Sequence, residues 1–76
     1  MLNEKQIFNR MNRAYENYFG DKDEDEWYGS DDSKEWEFHR PSTDTYCKLV
    51  MNEKEKRIDI YEGKSRDSYK RIGNTW

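Results

Sequence analysis

The sequence predicts an α+β fold: an N-terminal amphipathic helix packed on a three-stranded antiparallel β-meander, followed by a short C-terminal element that reads as helix. Three observations carry this expectation. Residues 7–19 hold one apolar stripe at helical spacing, residues 45–62 hold two alternating segments joined by a polar connection, and residues 35–40 alternate in step with the first of them.

Seventy-six residues make a single small domain, 1–76, which buries on the order of 60% of its unfolded surface and so has a thin core. Charged residues make up 41% of the chain and the mean hydropathy is -1.54, a balance that leans toward disorder. Against it stand three Trp, six Tyr and three Phe, whose large side chains let a short chain bury enough area to fold.

In the helix, Ile7, Phe8, Met11, Ala14, Tyr15, Tyr18 and Phe19 recur at i, i+1, i+4, i+7, i+8, i+11 and i+12, one face of a 3.6-residue repeat. Asn3 followed by Gln6 makes a variant capping box, Leu2 stands where a hydrophobic staple would meet Ile7, and Gly20 offers a left-handed stop. The predicted helix is 4–19, with its stripe in the core.

Residues 20–34 have no periodicity and read as a loop, longer than most connections in small domains, tethered by Trp27 and Tyr28 at its middle. Residues 21–37 carry nine acids and two lysines, a net of minus seven, so the chain's total of -3 leaves about plus four elsewhere.

Alternation returns over the strand 35–40; residues 41–44 form a turn; strands 45–52 and 56–62 follow as a hairpin. The best-matched register sets Met51 opposite Lys56, Leu49 opposite Ile58, Lys48 opposite Asp59, Cys47 opposite Ile60 and Tyr46 opposite Tyr61. In the other hairpin, Arg40 meets Thr45, Phe38 meets Cys47, Glu37 meets Lys48 and Trp36 meets Leu49. One face then presents Trp36, Phe38, Cys47, Leu49, Met51, Ile58 and Ile60 to the helix, and the other presents Glu37, His39, Tyr46, Lys48, Val50, Arg57, Asp59 and Tyr61. The C-terminal element, 65–73, reads as a short helix from the spacing of Tyr69, Ile72 and Trp76 with Gly73 as its end; an edge strand over 68–72 is the alternative.

No apolar run approaches the roughly 20 residues of a membrane span, and the N-terminus lacks the basic and apolar regions of a signal peptide. The lone Cys47 makes no intrachain disulfide, so the expectation is a buried thiol in a cytoplasmic protein.

The chemistry points away from catalysis. His39 has Asp44 nearby in sequence but no nucleophile placed with it, and open carboxylates lack the enclosure that tunes their pKa values. Asp21, Asp23 and Asp25 imitate the start of a calcium loop, but its sixth position is Glu26 where glycine belongs and its twelfth is Asp32 where a bidentate glutamate belongs, so no metal or cofactor is expected. The expected site is an acidic protein-binding surface made of Asp21, Asp23, Glu24, Asp25, Glu26, Trp27, Tyr28, Asp31 and Asp32, whose carboxylates stand in for nucleic-acid phosphates before a partner with a basic surface. In size and charge the chain resembles the small acidic inhibitors that phages and mobile elements encode against host nucleases, and that resemblance implies a DNA mimic occupying a basic cleft. The alternative binding face is His39, Tyr46 and Tyr61, a stacking platform for single-stranded nucleic acid beside the basic tail of Lys64, Arg66, Lys70 and Arg71. The plainer readings are a solvated acidic loop, ordinary cross-strand aromatic pairs, and a small structural or regulatory domain.

Overall fold

The structure, a computed structural model, describes residues 2–20, 25–28 and 34–76. At its start the Asn3 side chain accepts from the Gln6 amide at 2.9 Å while the Asn3 amide donates to Gln6 Oε1 at 3.0 Å, which satisfies two donors that a helix start leaves without partners. Helix α1 (Glu4–Phe19) follows and ends where the Gly20 amide donates to the Glu16 carbonyl at 3.0 Å. Gly20 has φ 68° with ψ 162°. Its φ is positive as the stop requires, but its ψ lies outside the left-handed helical well, in a region that glycine alone enters freely.

Five strands follow among the described residues: β1 (Glu26–Trp27), β2 (Glu35–Arg40), β3 (Thr45–Asn52), β4 (Arg57–Gly63) and β5 (Lys70–Thr75). They form one antiparallel sheet in chain order. The α+β class stands, and the three-stranded meander with a helical tail is corrected at both ends. Within the stretch expected as loop, β1 pairs Trp27 with Phe38 and Glu26 with His39. In place of the expected helix, β5 pairs with β4 through a bulge, since Ile60 opposite Gly73 and Tyr61 opposite Arg71 leave Ile72 as an extra residue.

The tail is strand because its partners select it. Gly73, Asn74 and Thr75 are weak helix formers, and β4 offers an edge to pair with. Gly73 also lets α1 close down: a Cβ there would stand 2.4 Å from the Tyr18 hydroxyl, which donates to the Asn74 carbonyl at 3.0 Å.

The β2–β3 register is the expected one, with Arg40 opposite Thr45 and Trp36 opposite Leu49. The β3–β4 register is two residues away from the expected one, with Met51 opposite Ile58, Leu49 opposite Ile60 and Lys48 opposite Tyr61. The turn accounts for the shift. Asn52 Oδ1 accepts from the Glu55 amide at 3.1 Å, Lys56 takes the positive φ of 52°, and the loop therefore runs over 53–56. The other hairpin closes the same way, over 41–44 with Asp44 at φ 52°. A shift of two keeps every side chain on its face, so the faces are as expected while the partners change. Asp59, expected opposite Lys48, lies instead 3.0 Å from Arg57 Nε and 3.4 Å from Arg71 Nη1.

The core lies between α1 and one sheet face. Ile7, Met11, Ala14, Tyr15 and Phe19 meet Phe38, Cys47, Leu49, Met51, Ile58 and Ile60, with Leu2, Trp36 and Trp76 packed at its margin. Cys47 is a free, buried thiol, and burial pushes its pKa up to about 11, which makes it a small apolar filler rather than a nucleophile. Near the turn over 53–56, Lys34 Nζ and the Leu2 amide each donate to Glu53 at 2.8 Å. Those bonds, Lys34 foremost, hold the Glu53 carboxyl below its ordinary pKa.

Candidate functional site

Of the nine residues expected at the acidic surface, Asp21, Asp23, Glu24, Asp31 and Asp32 lie outside the described residues. The other four separate. Asp25 is not a surface residue: its side chain is 0% exposed, with Oδ1 3.3 Å from Arg40 Nε and Oδ2 accepting from the Tyr15 hydroxyl at 2.6 Å. Arg40 in turn donates through Nη2 to the Phe19 carbonyl at 3.0 Å, closing the C-terminal end of α1. Asp25 is therefore a structural ion that fastens the segment before β1, and its removal from the binding set is a correction. The physical reason is Arg40, which the sheet places on the core side, where its charge requires a partner.

Glu26 and Trp27 are exposed on β1, and adjacent strand residues point to opposite faces. Trp27 turns toward the helix side, with its ring 4.6 Å from Phe38, 5.0 Å from Tyr15 and 5.6 Å from Trp36. It is nonetheless 45% exposed. Phe8, expected in the core, is 56% exposed and packs on Trp36 at 5.5 Å. Phe8, Trp36 and Trp27 thus form a continuous aromatic strip along the border between α1 and β1. Phe8 lies at one flank of the helical stripe, the signal that could have marked it; the strip itself depends on how α1 crosses β2 and is invisible in the chain order.

Tyr28 belongs to the other face. Its ring is 6.4 Å from Tyr46, Arg66 lies over it at 4.4 Å, and its hydroxyl is 3.3 Å from that of Tyr69. The nucleic-acid platform expected from His39, Tyr46 and Tyr61 is on this face and is partly covered by the chain itself. Tyr69, expected only as part of the C-terminal helix, lies 6.5 Å from the Tyr61 ring, donates to Glu37 Oε1 at 3.3 Å and carries Lys48 Nζ 5.4 Å from its ring centre. Burial, then the Tyr28 contact, pushes the Tyr69 hydroxyl above its ordinary pKa. The crossing is tight: a Cβ on Gly63 would stand 2.4 Å from the Ser68 carbonyl oxygen. Among the described residues a shallow concavity of about 350 Å³ is lined by Glu35, Lys48, Val50, Tyr61 and Tyr69, with an ion pair of 3.1 Å between Lys48 and Glu35 in its wall.

His39 stacks on Tyr46 at 4.7 Å, and each of its ring nitrogens faces a carboxylate: Nδ1 is 2.9 Å from Glu26 Oε1 and Nε2 is 3.0 Å from Asp44 Oδ1. The Glu26 bond, then the Asp44 bond, raises its pKa above 6.5. Both ring nitrogens are engaged by carboxylates, which leaves neither free to take a proton from a substrate. Comparison with family models, with curated proteins and with solved structures gives no match, so the functional reading rests on the chain's own geometry.

Proposed function

We propose that this chain is a small, non-enzymatic, acidic protein-binding module that works as an inhibitor, its carboxylates mimicking DNA to occupy the basic cleft of a nucleic-acid-processing protein. The observation that carries the reading is Trp27. It is half exposed although three rings grip its base, Phe8 and Trp36 extend its surface, and acids precede and follow it in the sequence. An aromatic anchor with a charged rim is how protein interfaces divide the work: the buried ring sets how long the complex lasts, and the rim charge steers the encounter. Binding on the His39, Tyr46 and Tyr61 face finds less support, because Tyr69 covers part of that face and Glu26, Glu37 and Asp44 make it unwelcoming to phosphate. Among the described residues no helix is long and apolar enough to cross a membrane. The buried free thiol of Cys47 suits a reducing, cytoplasmic setting.

The test is a pulldown from the source cell followed by surface plasmon resonance on the captured partner at low and physiological salt. Neutralising Asp21, Asp23, Glu24 and Glu26 to Asn and Gln should slow association and flatten its salt dependence. Asp25 is left intact, since its removal would test folding. Trp27→Ala should act on dissociation and weaken binding by about 2 kcal/mol or more. An affinity indifferent to salt, to neutralisation and to Trp27 would remove this surface from the interface.

A further inference from the structure

We propose that His39 is a pH-operated clasp that holds β1, and with it Trp27, onto the sheet. Apart from the anchoring of Asp25 before it and of the Trp27 ring, strand β1 has only a short backbone ladder. It contributes two residue pairs to the sheet, and the next backbone bond, from the Tyr28 amide to the Glu37 carbonyl, is long at 3.4 Å. One of the two pairs is Glu26 opposite His39, and the same two residues are joined again through their side chains at 2.9 Å. The second ring nitrogen reaches Asp44 in the β2–β3 turn at 3.0 Å.

An ionised carboxylate only accepts hydrogen bonds, so both nitrogens of His39 must donate, and only the imidazolium does so. In either neutral tautomer one nitrogen presents a lone pair to a carboxylate about 3 Å away. The groups facing the ring favour the charged state: Glu26 from β1, Asp44 from the turn, and the Tyr46 ring from β3. Among the described residues, Arg40 is engaged on Asp25 at the core side and Arg66 over Tyr28. The sign follows from a folded-state pKa raised above 6.5: the clasp is fully closed below that ordinary value and opens as pH rises through the raised one. Glu26 and Asp44 are 67% and 89% exposed, so solvent screens each pair and the effect on β1 is about two- to fivefold in its opening equilibrium. The clasp stands on this geometry alone; its consequence for binding rests on the proposed role of Trp27.

The experiment is a pH titration of the ¹⁵N-labelled full chain by NMR, following the His39 ring nitrogens together with hydrogen exchange at the Glu26 and Tyr28 amides, corrected for intrinsic exchange. The expected result is a His39 midpoint above 6.5, with amide protection falling about two- to fivefold at that same midpoint while the Leu49 amide shows no step. Glu26→Gln should lower the midpoint, and His39→Phe, which keeps a ring against Tyr46, should abolish the step. A midpoint at or below the ordinary value, or protection that runs flat through it, overturns the clasp. If the step is present but partner affinity ignores it, the proposed binding face fails and the clasp survives.

Discussion

On the face under α1, Phe38, Cys47, Leu49, Met51, Ile58 and Ile60 meet five helix side chains and are almost wholly buried. On the opposite face, Tyr28, Tyr46, Tyr61 and Tyr69 share the surface with Glu37, Lys48, Asp59 and Arg71, joined by hydroxyl bonds, ion pairs and ring contacts. Both faces come from the same period-two alternation, and different physics holds each. Burial is non-directional and scales with area, so the core face tolerates a change of partners when β4 shifts by two. Hydrogen bonds and ion pairs need particular atoms at particular distances, so on the tyrosine face the same shift takes Asp59 away from Lys48, and its ion pairs come from Arg57 on its own strand and Arg71 on β5. The core face also has one ionic exception at its end, Asp25 with Arg40.

That exception is where the contrast should break most visibly. Asp25→Ala leaves Arg40 nearly buried without its counter-charge and also removes the acceptor of the Tyr15 hydroxyl, and should cost about 3–5 kcal/mol. Replacing both partners, Asp25→Ala with Arg40→Met, should recover most of that loss in urea titration. A single substitution that costs less than about 1 kcal/mol would mean that the pair sits in water after all.

Next in size come deletions in the apolar layer. Leu49→Ala or Ile58→Ala opens a cavity among residues that are 0% exposed and should cost about 2–4 kcal/mol. Val50→Ala, one residue along β3 and half-buried on the other face, should cost below about 1 kcal/mol. Equal losses at 49 and 50 would erase the distinction between the faces.

A small effect is also expected where the tyrosine face is most directional. Tyr69→Phe keeps the ring beside Tyr61 and beneath Lys48 but removes the hydroxyl that Glu37 accepts from and Tyr28 meets. It should cost about 0.5–1.5 kcal/mol by denaturant unfolding. A loss as large as that of Leu49→Ala would make this face a second core.

Helix α1 was legible in the sequence because its signals are local: the stripe, the Asn3–Gln6 box and the glycine stop all lie within one continuous segment. Strands β2, β3 and β4 and their two faces were legible for the same reason, since alternation is a property of neighbouring residues. The β3–β4 register was not, because two apolar ladders separated by a shift of two are nearly degenerate until Asn52 and Lys56 select the turn. Strand β1 is too short to declare itself, and β5 is too weakly patterned to outrank a helix, so an edge strand stood only as the alternative there; each exists because β2 or β4 presents an edge, and pairing with it outweighs local preference. The candidate site divides in the same way. That acids surround Trp27 is written in the chain, but that Asp25 is consumed by Arg40, that Phe8 joins Trp36 and Trp27, and that His39 lies between Glu26 and Asp44 was decided only when distant segments met, because charge pairing and ring packing depend on distances that only the assembled sheet and helix set.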